Sequence, residues 1–135
     1  MQITENFSKH EFETAPSASR LHLPADVNHI PNDKLPHIIE LATNLQALRD
    51  EIGLPITILS SYRSPEYNQK VGGVKNSMHM QGKAADIVIA GLPLPTLHNV
   101  IEKLIKIGVM KQGGLGLYKS FIHYDVRGTR ARWHK

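Results

Sequence analysis

The chain contains no cysteine. That excludes a disulfide framework and any thiolate-ligated zinc, so a metal here must be held by histidine and carboxylate. The lack also fits an oxidising exterior. No apolar run approaches the length needed to span a bilayer. The first residues, Met1-Gln2-Ile3-Thr4-Glu5-Asn6-Phe7, have neither a basic n-region nor an apolar h-region and do not read as a signal peptide. Repeats, low-complexity tracts and linkers are missing as well. Aromatic residues make up only 6% of the chain, and few stand among the basic residues, which argues against a nucleic-acid surface.

What is present suits one globular domain. The 135 residues are enough for a hydrophobic core without staples, and 41% hydrophobic with 21% charged residues is ordinary. The net charge of +4 favours anionic partners. The basic residues are scattered, however, except at Arg127, Arg130, Arg132 and Lys135, so most of this charge reads as a solvated surface.

Residues 1–30 read as an arm. Phe7 and the Glu11-Phe12 pair anchor a short turn with Ser8 as N-cap, and Pro16 and Pro24 break any periodicity that follows. From Asn32 or Asp33 a helix is expected, with Pro36 in its first turn and Gly53 as its stop. Leu35, Ile38, Ile39, Ala42, Leu45, Leu48 and Ile52 supply its helical spacing. Pro55–Leu59 reads as a buried strand, and Ser64 with Pro65 opens a short helix that closes near Gly72-Gly73. A strand is expected at Asp86–Ala90. A second amphipathic helix runs from Pro95 to Ile107, with Leu97, Ile101, Leu104 and Ile105 inward and Gly108 at its end. Gly113-Gly114-Leu115-Gly116 reads as a loop or bulge feeding a last strand, Phe121–Val126. The fold class is α+β: a small, largely antiparallel sheet of three to five strands with helices packed against it.

Two segments carry the chemistry. In Ser77-Met78-His79-Met80-Gln81-Gly82-Lys83-Ala84-Ala85-Asp86, an imidazole and a carboxylate stand seven residues apart. Gly82 permits the turn, and Ala84 and Ala85 let a neighbouring backbone come close. A zinc site needs a third ligand, and Phe121–Val126 is the obvious donor. Residues i and i+2 of a strand share a face, so His123 and Asp125 lie together, opposite Ile122, Tyr124 and Val126. Alone, that pair would be the wet face of a half-buried strand. Beside His79 and Asp86 it completes a His₂Asp set with an open fourth position, as a catalytic zinc requires. Arg63, just past a strand end, suits a carboxylate or an oxyanion. His10, His22, His29, His37, His98 and His134 show no ligand spacing. Trp133 is expected to be a packing anchor for the tail.

Four elements in order then resemble the zinc D-Ala-D-Ala carboxypeptidase family, with its hedgehog N-terminal domain, murein endopeptidase and phage endolysin relatives. They are Ser61-Tyr62-Arg63-Ser64-Pro65-Glu66-Tyr67-Asn68, Gly72-Gly73, Asn76-Ser77-x-His79-x-x-Gly82-x-Ala84-x-Asp86, and Phe121-Ile122-His123-x-Asp125-Val126-Arg127-Gly128. The resemblance implies one zinc peptidase domain over 1–135, with the family-like core at about 33–128. It implies Zn2+ on His79, Asp86 and His123. Arg63 is expected to bind the substrate carboxylate or stabilise the intermediate, and Ser77 and Tyr62 to line the substrate site. The substrate class is peptidoglycan stem peptides, cleaved at bonds involving D-amino acids. A monomer is expected, without nucleic acid or membrane insertion, acting on the wall after release as a phage or prophage lysin would.

One position departs from the family. Many members carry Glu or Asp three residues before the last zinc histidine as general base, and here Ser120 stands there. Asp125 is the best remaining carboxylate, either as that base or as the partner that orients His123. The alternative function is a zinc-containing peptidoglycan-binding module without hydrolysis.

Overall fold

The computed structural model describes residues 1–135. Three α-helices are present: α1, Leu35–Ile52; α2, Pro65–Lys70; and α3, Leu94–Lys106. The five strands are β1, Thr57–Ser60; β2, Ala84–Val88; β3, Gly114–Leu117; β4, Ile122–Asp125; and β5, Ala131–His134. They form one sheet in the order β1-β2-β4-β3-β5. Three pairings are antiparallel, whereas β3 and β5 run parallel. The sheet is therefore mixed rather than largely antiparallel. The parallel pair arises because the chain leaves β4, turns through Gly128 at φ 92° and returns along the far side of β3.

The helices follow their periodicity. α1 buries Ile38, Leu41, Ala42, Leu45 and Leu48, and Gly53 ends it in the left-handed conformation at φ 74°. Ile39, expected inward, is 42% exposed because it lies just off that stripe. α3 buries Leu97, Ile101, Leu104 and Ile105 as its spacing predicts. The Ser64 hydroxyl caps α2 by accepting from the Tyr67 amide at 3.1 Å. Those helical faces share one core with Ile58, Ala85, Ile87, Leu115, Ile122 and Tyr124 of the sheet.

The N-terminal arm is sewn to this core. A 3-10 turn at Lys9–Glu13 brings in Phe12, which is buried with Phe7 and Ile30. Buried Asn28 donates to the Thr14 carbonyl at 3.0 Å and accepts from the Ser64 amide at 2.9 Å, tying the arm to α2.

Two expectations fail for the same reason. Gly113–Gly116 is not a loop, since Gly114–Leu117 is a strand paired on both sides. Likewise the strand at Phe121–Val126 is not the last, because Ala131–His134, which holds Trp133, follows it as an edge strand. Glycine has low strand propensity and β5 lacks alternation, so only the pairing partners reveal either element.

Candidate metal centre

Strand register lays the candidate residues across the sheet in one row. Ser60 pairs with Asp86, Asp86 with His123, His123 with Gly116, and Gly116 with Trp133. Paired residues share a face, so this row lies opposite the core-facing Ala85, Tyr124 and Leu115. His79 joins it from a 3-10 turn, Met78–Gln81, that precedes β2. The Ser77 hydroxyl caps that turn by accepting from the His79 amide at 3.1 Å, and Gly82 closes it at φ 74°. A further tie runs from the Arg63 amide to the His79 carbonyl at 3.1 Å.

His79, Asp86 and His123 converge, with ligand atoms all within 4.8 Å of one another. His79 Nδ1 lies 2.8 Å from the Ser61 carbonyl, which only accepts, so Nδ1 carries the proton and Nε2 offers a lone pair. That lone pair faces Asp86 Oδ1 at 3.3 Å. On the other side, His123 Nε2 donates to Asp125 Oδ2 at 2.7 Å, which leaves His123 Nδ1 facing the same Asp86 Oδ1 at 3.2 Å. Three acceptors thus point at one spot. A proton on His123 relieves one of the two contacts, whereas a cation among the three atoms relieves both. The two separations to Asp86 Oδ1, 3.3 and 3.2 Å, are also close to the edge of a zinc tetrahedron, roughly 3.3–3.6 Å for ligands at about 2.0–2.2 Å.

The electrostatics agree. Burial works against the Asp86 carboxylate, yet the His123 and His79 rings packed against it outweigh that and hold Asp86 well below the usual carboxylate range. Burial pushes His79 down, keeping it neutral as a ligand must be. Burial also opposes charge on His123, but Asp125 and Asp86 on either side raise it, so this ring sits where positive charge is favoured.

Asp125 is fully buried behind His123. Its Oδ1 accepts from the Gly114 amide at 2.8 Å, the Arg127 amide at 3.1 Å and Arg127 Nε at 2.9 Å, while Oδ2 takes Arg127 Nη2 at 2.8 Å besides His123. Burial would raise its pKa, but His123 and Arg127 together press it well below the ordinary range. The glycine run makes this possible. A Cβ on Gly114 would fall on the Asp125 carboxylate, and one on Gly116 would enter the Trp133 indole.

The row opens into a cleft of about 590 Å³. Arg63 enters it with Nε on Ser60 Oγ at 3.1 Å and Nη2 3.3 Å from Asp86 Oδ2, so Asp86 presents only Oδ1 to the histidines. Ser77 lines the cleft too. Tyr62 does not: its ring belongs to the hydrophobic core at 4% exposure, which corrects the expectation that it lines the substrate site. Ser120 is exposed in the turn before β4. Trp133 is more than a packing anchor. It stands 5.1 Å from the His123 ring, donates from Nε1 to the Tyr118 hydroxyl at 3.0 Å and lines the cleft. The sequence shows Arg127 only as a basic residue within a matching element; its role on Asp125 is signalled there by nothing more than the i, i+2 spacing.

The Peptidase M15 family model matches residues 7–125. The chain belongs to this family. Among relatives of this M15 chain, the probable peptidoglycan L,D-endopeptidase MepK of Haemophilus influenzae is 33% identical over 102 residues, covering 70% of this chain and 52% of that protein. The peptidoglycan L,D-endopeptidase MepK of Escherichia coli K12 is 30% identical over 86 residues, 58% of this chain and 43% of its own. The zinc D-Ala-D-Ala carboxypeptidase of Streptomyces albus G is 50% identical over 44 residues, 32% of this chain and 17% of its own. This M15 chain thus spans about half the length, or less, of the curated relatives it matches. No helix is long and apolar enough to cross a membrane.

Proposed function

We propose that the chain is a zinc-dependent peptidase that hydrolyses peptidoglycan stem peptides at bonds involving D-amino acids. The observation that carries this reading is the convergence of His79 Nε2, Asp86 Oδ1 and His123 Nδ1, with both histidine tautomers set by groups behind them. Zinc held by these three residues supplies Lewis acidity, which polarises a scissile carbonyl and acidifies the attacking water. The chain's own residues supply the rest. The Ser61 carbonyl and Asp125 keep the ring protons on the outer nitrogens. Arg63, its fork anchored on Ser60 and Asp86, presents positive charge in the cleft to a substrate carboxylate or a developing oxyanion. Ser77 and Asn76 line the path along which a peptide lies. Asp125 acts as the residue that orients His123 rather than as the base, because both its oxygens are engaged behind the ring.

The test is digestion of purified peptidoglycan by zinc-loaded protein, with mass analysis of the products. New stem-peptide fragments, abolished by chelation and restored by zinc, are expected. A second reading has its own observation: Asp86 is the sole carboxylate side chain lining the cleft, which fits a zinc-containing module that binds peptidoglycan without cutting it. Fully zinc-loaded protein that sediments with the polymer and releases nothing would establish that reading instead.

A further inference from the structure

α3 and the edge strand β5 present a surface that the metal centre does not use. Arg132 grips Glu102 through Nε and Nη2, each at 2.8 Å, so the carboxylate there is committed. Arg130 stands 3.8 Å from the same carboxylate with 62% of its side chain exposed. Lys103 and Lys106 are exposed and pair with no carboxylate. The result is a strongly cationic patch, and it has shape. A hollow of about 550 Å³ holds Lys103, Lys106, Arg130 and Glu102. A second, of about 310 Å³, shares Arg130 and Glu102 with the first and shares Trp133 with the metal cleft. The shared residues set the three hollows side by side, running from the metal cleft at Trp133 around the edge strand β5 onto α3; we call this run the track.

We propose that this track is an exosite for the polymer, in which the carboxylates of neighbouring stem peptides on the same peptidoglycan sheet engage Lys103, Lys106 and Arg130. The inference rests on the peptidase reading for the identity of the polymer. Adjacency at Trp133 favours this occupant, because a polymer with one stem peptide in the cleft extends past Trp133 towards the track. Exposed point charges on flexible stems suit scattered carboxylates, where each pair contributes little and several act together. Like other exposed charge contacts, they act on encounter and are screened by salt.

The experiment compares the parent with Lys103→Glu/Lys106→Glu/Arg130→Glu, and with the corresponding triple Gln variant as a milder control for folding. Each is assayed for sedimentation with sacculi, before and after hydrofluoric acid removes phosphate polymers, and for turnover of a soluble stem peptide. The charge-reversed variant should bind stripped sacculi about tenfold more weakly at low salt, with the Gln variant between. Turnover of the soluble peptide should stay within about twofold, and the parent's advantage should vanish at about 1 M salt, where screening acts within roughly 3 Å. Unchanged sedimentation of both variants would overturn the exosite. Binding lost on stripping would assign the track to phosphate polymers, and tighter binding to double-stranded DNA than to sacculi would assign it to nucleic acid; either overturns the occupant. A parent that hydrolyses no stem peptide, with sedimentation still weakened in the variants, would remove the peptidase reading and leave the exosite intact.

Discussion

Asp125→Asn separates the two roles the sequence leaves to this carboxylate. In the parent, five donors converge on Asp125: the Gly114 amide, the Arg127 amide, Arg127 Nε, Arg127 Nη2 and His123 Nε2. Asparagine keeps one acceptor oxygen, which the Gly114 amide and the first Arg127 contacts retain. Its amide nitrogen then meets Arg127 Nη2 and His123 Nε2, donor against donor. His123 relieves its contact by moving the ring proton to Nδ1, the atom that faces Asp86 at 3.2 Å. That proton occupies the direction a zinc ion needs. Zinc affinity should therefore fall about 10–100-fold, the usual effect of losing a residue that orients a ligand. Stability should fall as well. Breaking a buried charge pair costs about 3–5 kcal/mol; Arg127 is 28% exposed and keeps an oxygen, so about 3 kcal/mol is expected, or roughly 10 °C in Tm for a domain of this size. The assay is a zinc titration of the variant followed by turnover of a stem peptide. Activity restored by excess zinc is the expected result. A variant that binds zinc like the parent yet stays inactive would refute this reasoning and make Asp125 the base.

Other consequences are as direct. Arg63→Lys removes the fork that spans Ser60 and Asp86; zinc should remain while kcat/KM drops on the order of 10²-fold or more, and parental kinetics would return Arg63 to a surface charge. Gly116→Ala should drive the indole of Trp133 off its seat at a stability loss of about 1–3 kcal/mol. Trp133 is the lone tryptophan, so its fluorescence reports the displacement, and an unchanged spectrum would contradict it. For pH, burial opposes the Asp125 carboxylate but the bonds from His123 and Arg127 prevail. Its contribution is thus complete above about 3.9, the unfolded value, and is lost as pH falls through the lower folded value. Urea midpoints of metal-free parent should decline more steeply below about pH 4 than those of Asp125→Asn.

The parts legible in the sequence were those set by local rules. α1 and α3 followed from a 3.6-residue stripe, and the convergence of His79, Asp86 and His123 followed from strand alternation at His123 and from the turn at Gly82. What escaped depends on partners far along the chain. Gly114 and Gly116 read as loop because the reason for their missing side chains, Asp125 and Trp133, lies 11 and 17 residues later. β5 carries no alternation, since its value lies in pairing with β3 and in setting Trp133 beside His123. Tyr62 illustrates the converse: it neighbours Arg63 in a matching motif, but adjacent residues at a strand end point to opposite sides, and Tyr62 takes the core.

Zinc K-edge X-ray absorption on the loaded protein and on His79→Ala and His123→Ala tests the central claim most directly. The parent should show two imidazoles and oxygen ligands at about 2.0–2.2 Å, and each variant should lose one imidazole together with most of the bound zinc. Two intact imidazoles on fully retained zinc in either variant would place the metal elsewhere and contradict the account.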